Sequence, residues 1–173
     1  MSKTRAIKQH IPADAKTGYA TPDKPAAGEF ANARIAIVAT RWNVEIVDAL
    51  VTGARAALKA WGVAGKHVEF FRAPGAYEIP LAAKLLLDGR FDGVVALGAV
   101  IRGDTPHFDY VAGECARGLI DVQLQSGKPI GFGVLTVNTV EQAVERAGPG
   151  PSNKGYEAAA AMLEMLRLRK ELA

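Results

Sequence analysis

The chain has 173 residues, 49% of them apolar and 23% charged, the composition of one globular domain rather than a disordered or fibrous chain. Its longest run of apolar residues and glycine, 93–101, is far short of the ~20 residues a membrane span needs, so no transmembrane segment is expected. The formal net charge of +3 sits mostly in residues 1–30, with five Lys/Arg against three Asp/Glu; the rest is near neutral without a basic stripe, which argues against a nucleic-acid partner.

Residues 1–32, rich in Lys, Pro, Ala, Asp and Thr without a sustained period, read as a flexible tail, and residues 33–173 as the ordered domain. Arg34–Ala39 is a short β-rich apolar run, the first strand. A helix follows, capped by Asn43 and running to about Trp61, with Ile46, Val47, Leu50, Val51, Ala54, Leu58 and Trp61 at helical spacing and Gly62 and Gly65 closing it. It carries more apolar residues than one sheet face should cover, an expectation of an oligomer. His67–Phe71 is the second strand and Tyr77–Leu87 the second helix, closed by Asp88-Gly89. Gly93–Ile101, apolar on both faces, is a central strand. Pro106–Gln125 is the third helix, with Pro106 at its first position and Asp104 or Thr105 as cap. Ile130–Val137 is the fourth strand, and Thr139–Ala147 and Lys154 to about Leu172 are the last helices. Strands alternating with helices predict a parallel sheet covered on both faces, a three-layer αβα domain of the α/β class. Ligands bind such sheets beyond the carboxyl ends of the strands, so the segments that follow each strand are the candidate site.

After the first strand, Trp42 offers a flat π face for a heteroaromatic ring; the plainer reading is a buried Trp packing helix onto sheet. After the second, Gly75 allows close approach of a ligand to the backbone, Ala76-Tyr77 opens a helix with free N–H groups, and Glu78 can accept from hydroxyls, or is simply solvated. After the third, Gly103, Asp104 and Thr105 make a tight connection into a helix N-terminus, a weak signal for a phosphate site. His107 lies in that helix's first turn, where the dipole disfavours an imidazolium; it is a candidate base or a surface histidine beside a cap. After the fourth, Arg146 can chelate a phosphate and Lys154 can add charge, although each also reads as a solvated helix-end cation. The lone Cys115 can make neither an intramolecular disulfide nor a Cys-based metal site, and His10, His67 and His107 lack metal-ligand spacing. No metal or cofactor is expected. Lys3, Arg5 and Lys8 precede no apolar stretch, so no secretory signal is expected and a cytoplasmic protein is the default. Together these segments suggest a site for a phosphorylated small molecule and a flat ring.

PGAYEIP at 74–80, GAVIRGDTPHFDYVA at 98–112, FGVLTVNTVEQAVERAG at 132–148 and NKGYEAA at 153–159, with Arg41-Trp42-Asn43, resemble the 6,7-dimethyl-8-ribityllumazine synthase family over about residues 33–170. The resemblance implies a flavodoxin-like sheet of four parallel strands in the order 2-1-3-4. It also implies a transferase of riboflavin biosynthesis, condensing 5-amino-6-(D-ribitylamino)uracil with 3,4-dihydroxy-2-butanone 4-phosphate to the lumazine without cofactor. By the same resemblance Trp42 stacks on the pyrimidine, where Phe is commoner. Ala76, Tyr77 and Glu78 hold the ribityl chain, and Val100 and Ile101 meet the pyrimidine edge. Gly103, Asp104, Thr105, Arg146 and Lys154 bind phosphate, and His107 transfers protons. Phe132 and Lys154 match residues that the family supplies from a neighbouring subunit. A homopentamer or a multiple of pentamers follows, and riboflavin synthase becomes a candidate partner. Pro149-Gly-Pro-Ser152 departs from the family's usual linker, which leaves the assembly beyond the pentamer open. A binding module that holds flavin without turnover, or a shell protein, are the competing readings; His107, Arg146 and Lys154 occurring together favour the enzyme.

Overall fold

The computed structural model describes residues 23–173. Four strands, β1 (Ile35–Thr40), β2 (Val68–Ala73), β3 (Gly93–Ile101) and β4 (Ile130–Val137), form one parallel sheet in the order β2-β1-β3-β4. Five helices surround it: α1 (Val44–Ala60), α2 (Ile79–Asp88), α3 (His107–Ser126), α4 (Val140–Arg146) and α5 (Lys154–Leu172). This is the flavodoxin-like three-layer arrangement expected.

The two faces follow from the strand period of two. On β1, Ile35, Ile37 and Ala39 point to the side where Leu50 and Leu58 of α1 and Met162, Leu163 and Leu166 of α5 pack. Ala36 and Val38 point to the other side, against Ile79, Ala83 and Leu87 of α2 and Cys115 and Leu119 of α3. β1 and the first seven residues of β3 are buried throughout, as a central parallel strand with helices on both faces requires. α1 and α5 approach unusually closely. A Cβ on Gly155 would lie 2.0 Å from the Leu50 carbonyl oxygen, so only glycine fits there.

Several boundaries differ from the sequence reading. β1 ends one residue later, and β2 runs to Ala73 rather than Phe71, because Ala39 and Thr40 pair with Arg72 and Ala73. His67 belongs not to the strand but to a short 3-10 turn, Gly65–His67. α2 starts at Ile79, preceded by a 3-10 turn over Ala76–Glu78. Pro80 has no N–H to bond back to the Ala76 carbonyl, so the α-helical ladder cannot include that turn. Asn43 does occupy the N-cap of α1, but in the left-handed region (φ 53) and without a capping bond; its side-chain amide donates to the Ala99 carbonyl at 3.0 Å instead. Neither Asp104 nor Thr105 caps α3; Pro106 takes the cap position. α1 covers its apolar surplus well: Val47, Leu50, Ala54, Ala57 and Leu58 are buried. The uncovered apolar side chains lie chiefly on other elements, including Leu81 and Leu85 of α2 and Leu124 of α3, each about two-thirds exposed or more.

The expected flexible tail falls, for residues 1–22, outside the described residues. Phe30 is fully buried, against Trp61 at a ring distance of 5.8 Å. Glu29 pairs with Arg167 at 2.6 Å, and both Arg167 and Lys170 lie over the Phe30 ring. Packing on the domain therefore begins before residue 33. Among the described residues no helix is long and apolar enough to cross a membrane, and no cluster of three His, Cys, Asp or Glu side chains could hold a metal ion.

Candidate active site

The residues singled out from the sequence fall into two groups. The first lies at the carboxyl edge of the sheet. Trp42 is 73% exposed, which overturns the buried, packing reading of this side chain. The backbone around it is fixed: Arg41 N–H donates to the Ala73 carbonyl at 3.1 Å, and the Thr40 hydroxyl donates to the Trp42 carbonyl at 3.4 Å. Arg72 braces the same turn through a bond to the Thr40 carbonyl at 2.8 Å and an ion pair with Asp48. A Cβ on Gly75 would stand 3.1 Å from Glu78 Oε2 and 3.5 Å from Trp42 Cδ1. Gly75, Glu78 and the indole therefore share one small space, and the missing side chain keeps it open. Ala76 is buried beneath, while Tyr77 is 60% exposed. Val100 and Ile101, at the end of β3, are half-buried; Gly103, Asp104, Thr105 and His107 are exposed.

The second group lies elsewhere. Phe132, Arg146 and Lys154 line one open groove of about 560 Å³ along β4 and α5, together with Thr136, Glu157 and Met165. β4 is an edge strand. Phe132 is 48% exposed on it, so its aromatic ring is not core. Arg146 donates to the Gln142 carbonyl at 3.0 Å, and Lys154 pairs with Glu157 at 2.6 Å; Arg146 is exposed and Lys154 half-buried. None of Trp42, Ala76, Tyr77, Glu78, Gly103, Asp104, Thr105 or His107 lines this groove. Arg146 and Lys154, grouped by sequence with the phosphate loop, thus keep company with Phe132.

One cluster escaped the sequence reading. The Arg102 guanidinium bonds Asp109 through two nitrogens, at 2.8 and 3.3 Å, and Asn138 Oδ1 at 3.3 Å, and it lies 4.1 Å from the Phe108 ring centre. These bonds hold the Asp109 carboxyl below its ordinary range and raise Arg102 above its own. Opposite charges on one helix-start segment were the only signal, and nothing in the spacing distinguished them from a solvated pair. Cys115 is buried, and burial pushes its thiol up to about 12, so it is no nucleophile at neutral pH.

An open parallel α/β sheet with an exposed aromatic, a glycine-widened gap and a glycine-to-helix turn at its carboxyl edge defines a small-molecule-binding domain of the doubly wound kind. The family model described as 6,7-dimethyl-8-ribityllumazine synthase matches residues 32–170, and the chain belongs to that family. This places it among the enzymes of riboflavin biosynthesis.

Proposed function

We propose that the chain condenses 5-amino-6-(D-ribitylamino)uracil with 3,4-dihydroxy-2-butanone 4-phosphate to 6,7-dimethyl-8-ribityllumazine, the penultimate step of riboflavin biosynthesis. The observation that carries this reading within the family is the exposed Trp42 ring beside Gly75 and Glu78. A flat pyrimidine stacks on the indole, while Glu78, with Ala76 and Tyr77, receives the polyol chain. Val100 and Ile101 meet the pyrimidine edge. The uracil's 5-amino group attacks the ketone and loses water to form an imine. Phosphate then leaves, and the ribitylamino nitrogen closes the ring with loss of a second water. His107 shuttles the protons, and Gly103, Asp104 and Thr105 cradle the phosphate through backbone N–H groups.

Holding the two substrates in register is the largest contribution expected, up to ~7–11 kcal/mol in favourable cases. Arg146, Lys154 and Phe132 line a separate groove, and we propose that they act together, on the carboxyl edge of a neighbouring copy. The site is then complete only in an oligomer.

The test is a steady-state assay with both substrates on wild type and Arg146→Ala. Loss of a charged donor to phosphate costs about 1.5–3 kcal/mol where it is shielded. The apparent KM for the phosphorylated ketone should therefore rise about ten- to a hundredfold, with little change for the uracil. Equal effects on both substrates count against Arg146 as the phosphate ligand, and absence of lumazine from the wild type overturns the function.

A further inference from the structure

We propose that Arg102 is a positioning residue that sets the first turn of α3 and, through it, His107. The inference rests on the role given to His107 above. Arg102 is the first residue after β3, and its backbone N–H donates to the Val137 carbonyl at 2.9 Å, so the end of the sheet fixes its main chain. Its guanidinium reaches Asp109 through two nitrogens and covers the Phe108 ring. Phe108 and Asp109 are the two residues after His107. Its remaining nitrogen, Nε, donates to Asn138, in the connection after β4. One rigid fork thus ties the end of the central strand, the start of α3 and the loop that leads into α4. No side chain caps α3, so its first turn has no competing anchor of that kind.

The Arg102 and Asp109 side chains are 43% and 59% exposed. An ion pair that open adds little to global stability. What it supplies is direction, because a planar fork held by a carboxylate and stacked on a ring admits few orientations. A lysine at the same place would keep the charge and lose the fork.

The experiment compares Arg102→Ala, Arg102→Lys and Asp109→Asn, each alone and with His107→Ala. In the His107 background, Arg102→Ala should lower kcat roughly tenfold or more, since small misplacements at a reacting centre are costly, with both KM values and the melting temperature close to wild type. Arg102→Lys should recover only part of the rate. When His107→Ala is already present, Arg102→Ala should lower kcat no further. Independent, multiplicative losses overturn the proposal, as does a raised KM for the phosphorylated ketone at unchanged kcat, which would make Arg102 a substrate contact. A second readout needs no turnover. Amide hydrogen exchange over residues 103–112 should quicken in Arg102→Ala and Asp109→Asn, and unchanged protection overturns the proposal even if the wild type proves to make no lumazine. If Arg102→Ala does not fold, Arg102→Lys and Asp109→Asn decide by the same measurements.

Discussion

Trp42 is held out into solvent by its neighbours rather than by its own preference. Arg41 is bonded to the end of β2, Asn43 sits in the left-handed region that asparagine tolerates better than most residues, and the Asn43 amide is tied to Ala99 of β3. A large apolar ring kept exposed on a fixed backbone is set up for stacking. The lumazine proposed as product and the later flavin share a ribityl chain and a fused pyrimidine, so we predict that riboflavin binds, quenches tryptophan fluorescence and competes with the aminouracil. Stacking contributes about 0.5–1.5 kcal/mol beyond burial, so Trp42→Ala should weaken flavin binding about two- to tenfold. Because the ring is mostly exposed, the variant should keep its thermal stability. Titration of flavin fluorescence against both proteins checks this; equal affinities in a well-folded variant remove the stacking role.

At the scale of elements, the joint between α1 and α5 depends on one polar side chain. Asn153 is 3% exposed and caps α5 by accepting from the N–H groups of Gly155 and Tyr156 at 2.8 and 3.2 Å. Its amide nitrogen donates to the carbonyls of Ala49, Ala147 and Gly148. Asn153→Ala would remove a cap and leave several buried groups unpaired, at about 1–3 kcal/mol for each truly stranded group. We expect a loss of about 3 kcal/mol by urea denaturation; a change within 0.5 kcal/mol, the usual range for a plain surface site, would show that water replaces these bonds.

The docked segment around Phe30 gives a pH dependence. Hydrogen bonds from Arg167 hold the Glu29 carboxyl below its ordinary value of 4.5. A carboxyl depressed in the folded state contributes stability above its unfolded pKa, and that contribution is lost as pH falls through the folded value. Exchange protection of residues 26–33 should hold at neutral pH and fall in acid, and Glu29→Gln should remove the acid step. An acid step that survives in the variant would assign it to other carboxylates.

How far these elements could be read in advance depended on whether their limits are local. β3, β4 and α5 were delimited correctly because an apolar run bounded by glycine or proline, and an Asn-Lys helix start, are local signals. The end of β2 was not, since it is set by which residues of β1 lie opposite. The start of α2 was missed through the reach of Pro80 back to Ala76. The candidate site was legible as a set of segments following strands, but its partition was not. That Arg146 shares a groove with Phe132 and Lys154 depends on β4 being an edge, and the Arg102 network on how tightly the connection after β3 folds back.

For the whole molecule, α2 is the decisive element. Ile79, Ala83 and Leu87 face the core, yet Leu81 and Leu85 on its outer side are 66% and 65% exposed. Beside the Lys84–Asp88 ion pair on that side, the two leucines form an apolar strip that contact with another copy would cover. Ile120 and Leu124 of neighbouring α3 are also exposed, at 45% and 73%. The groove along β4 presents Phe132 and Met165, 48% and 49% exposed. Two different apolar surfaces on one chain suit a head-to-tail contact, which gives a ring where the rotation between copies closes and a filament where it does not. We predict a ring of five or a multiple of it, the number coming from the family resemblance, and sedimentation of a monomer at micromolar concentration would contradict it. The same geometry makes a sharper prediction. If each site takes His107 from one copy and Arg146 from the next, His107→Ala and Arg146→Ala damage opposite sides of every interface. Dissociated and reassembled together in equal amounts, the two should leave about a quarter of the sites with neither defect, by random placement around a head-to-tail ring. Activity should then rise towards a quarter of wild type, well above that of either variant alone. If both residues belonged to one copy's site, every site would carry one defect and mixing would restore nothing. Reassembly without recovery would therefore show that each chain builds its site alone.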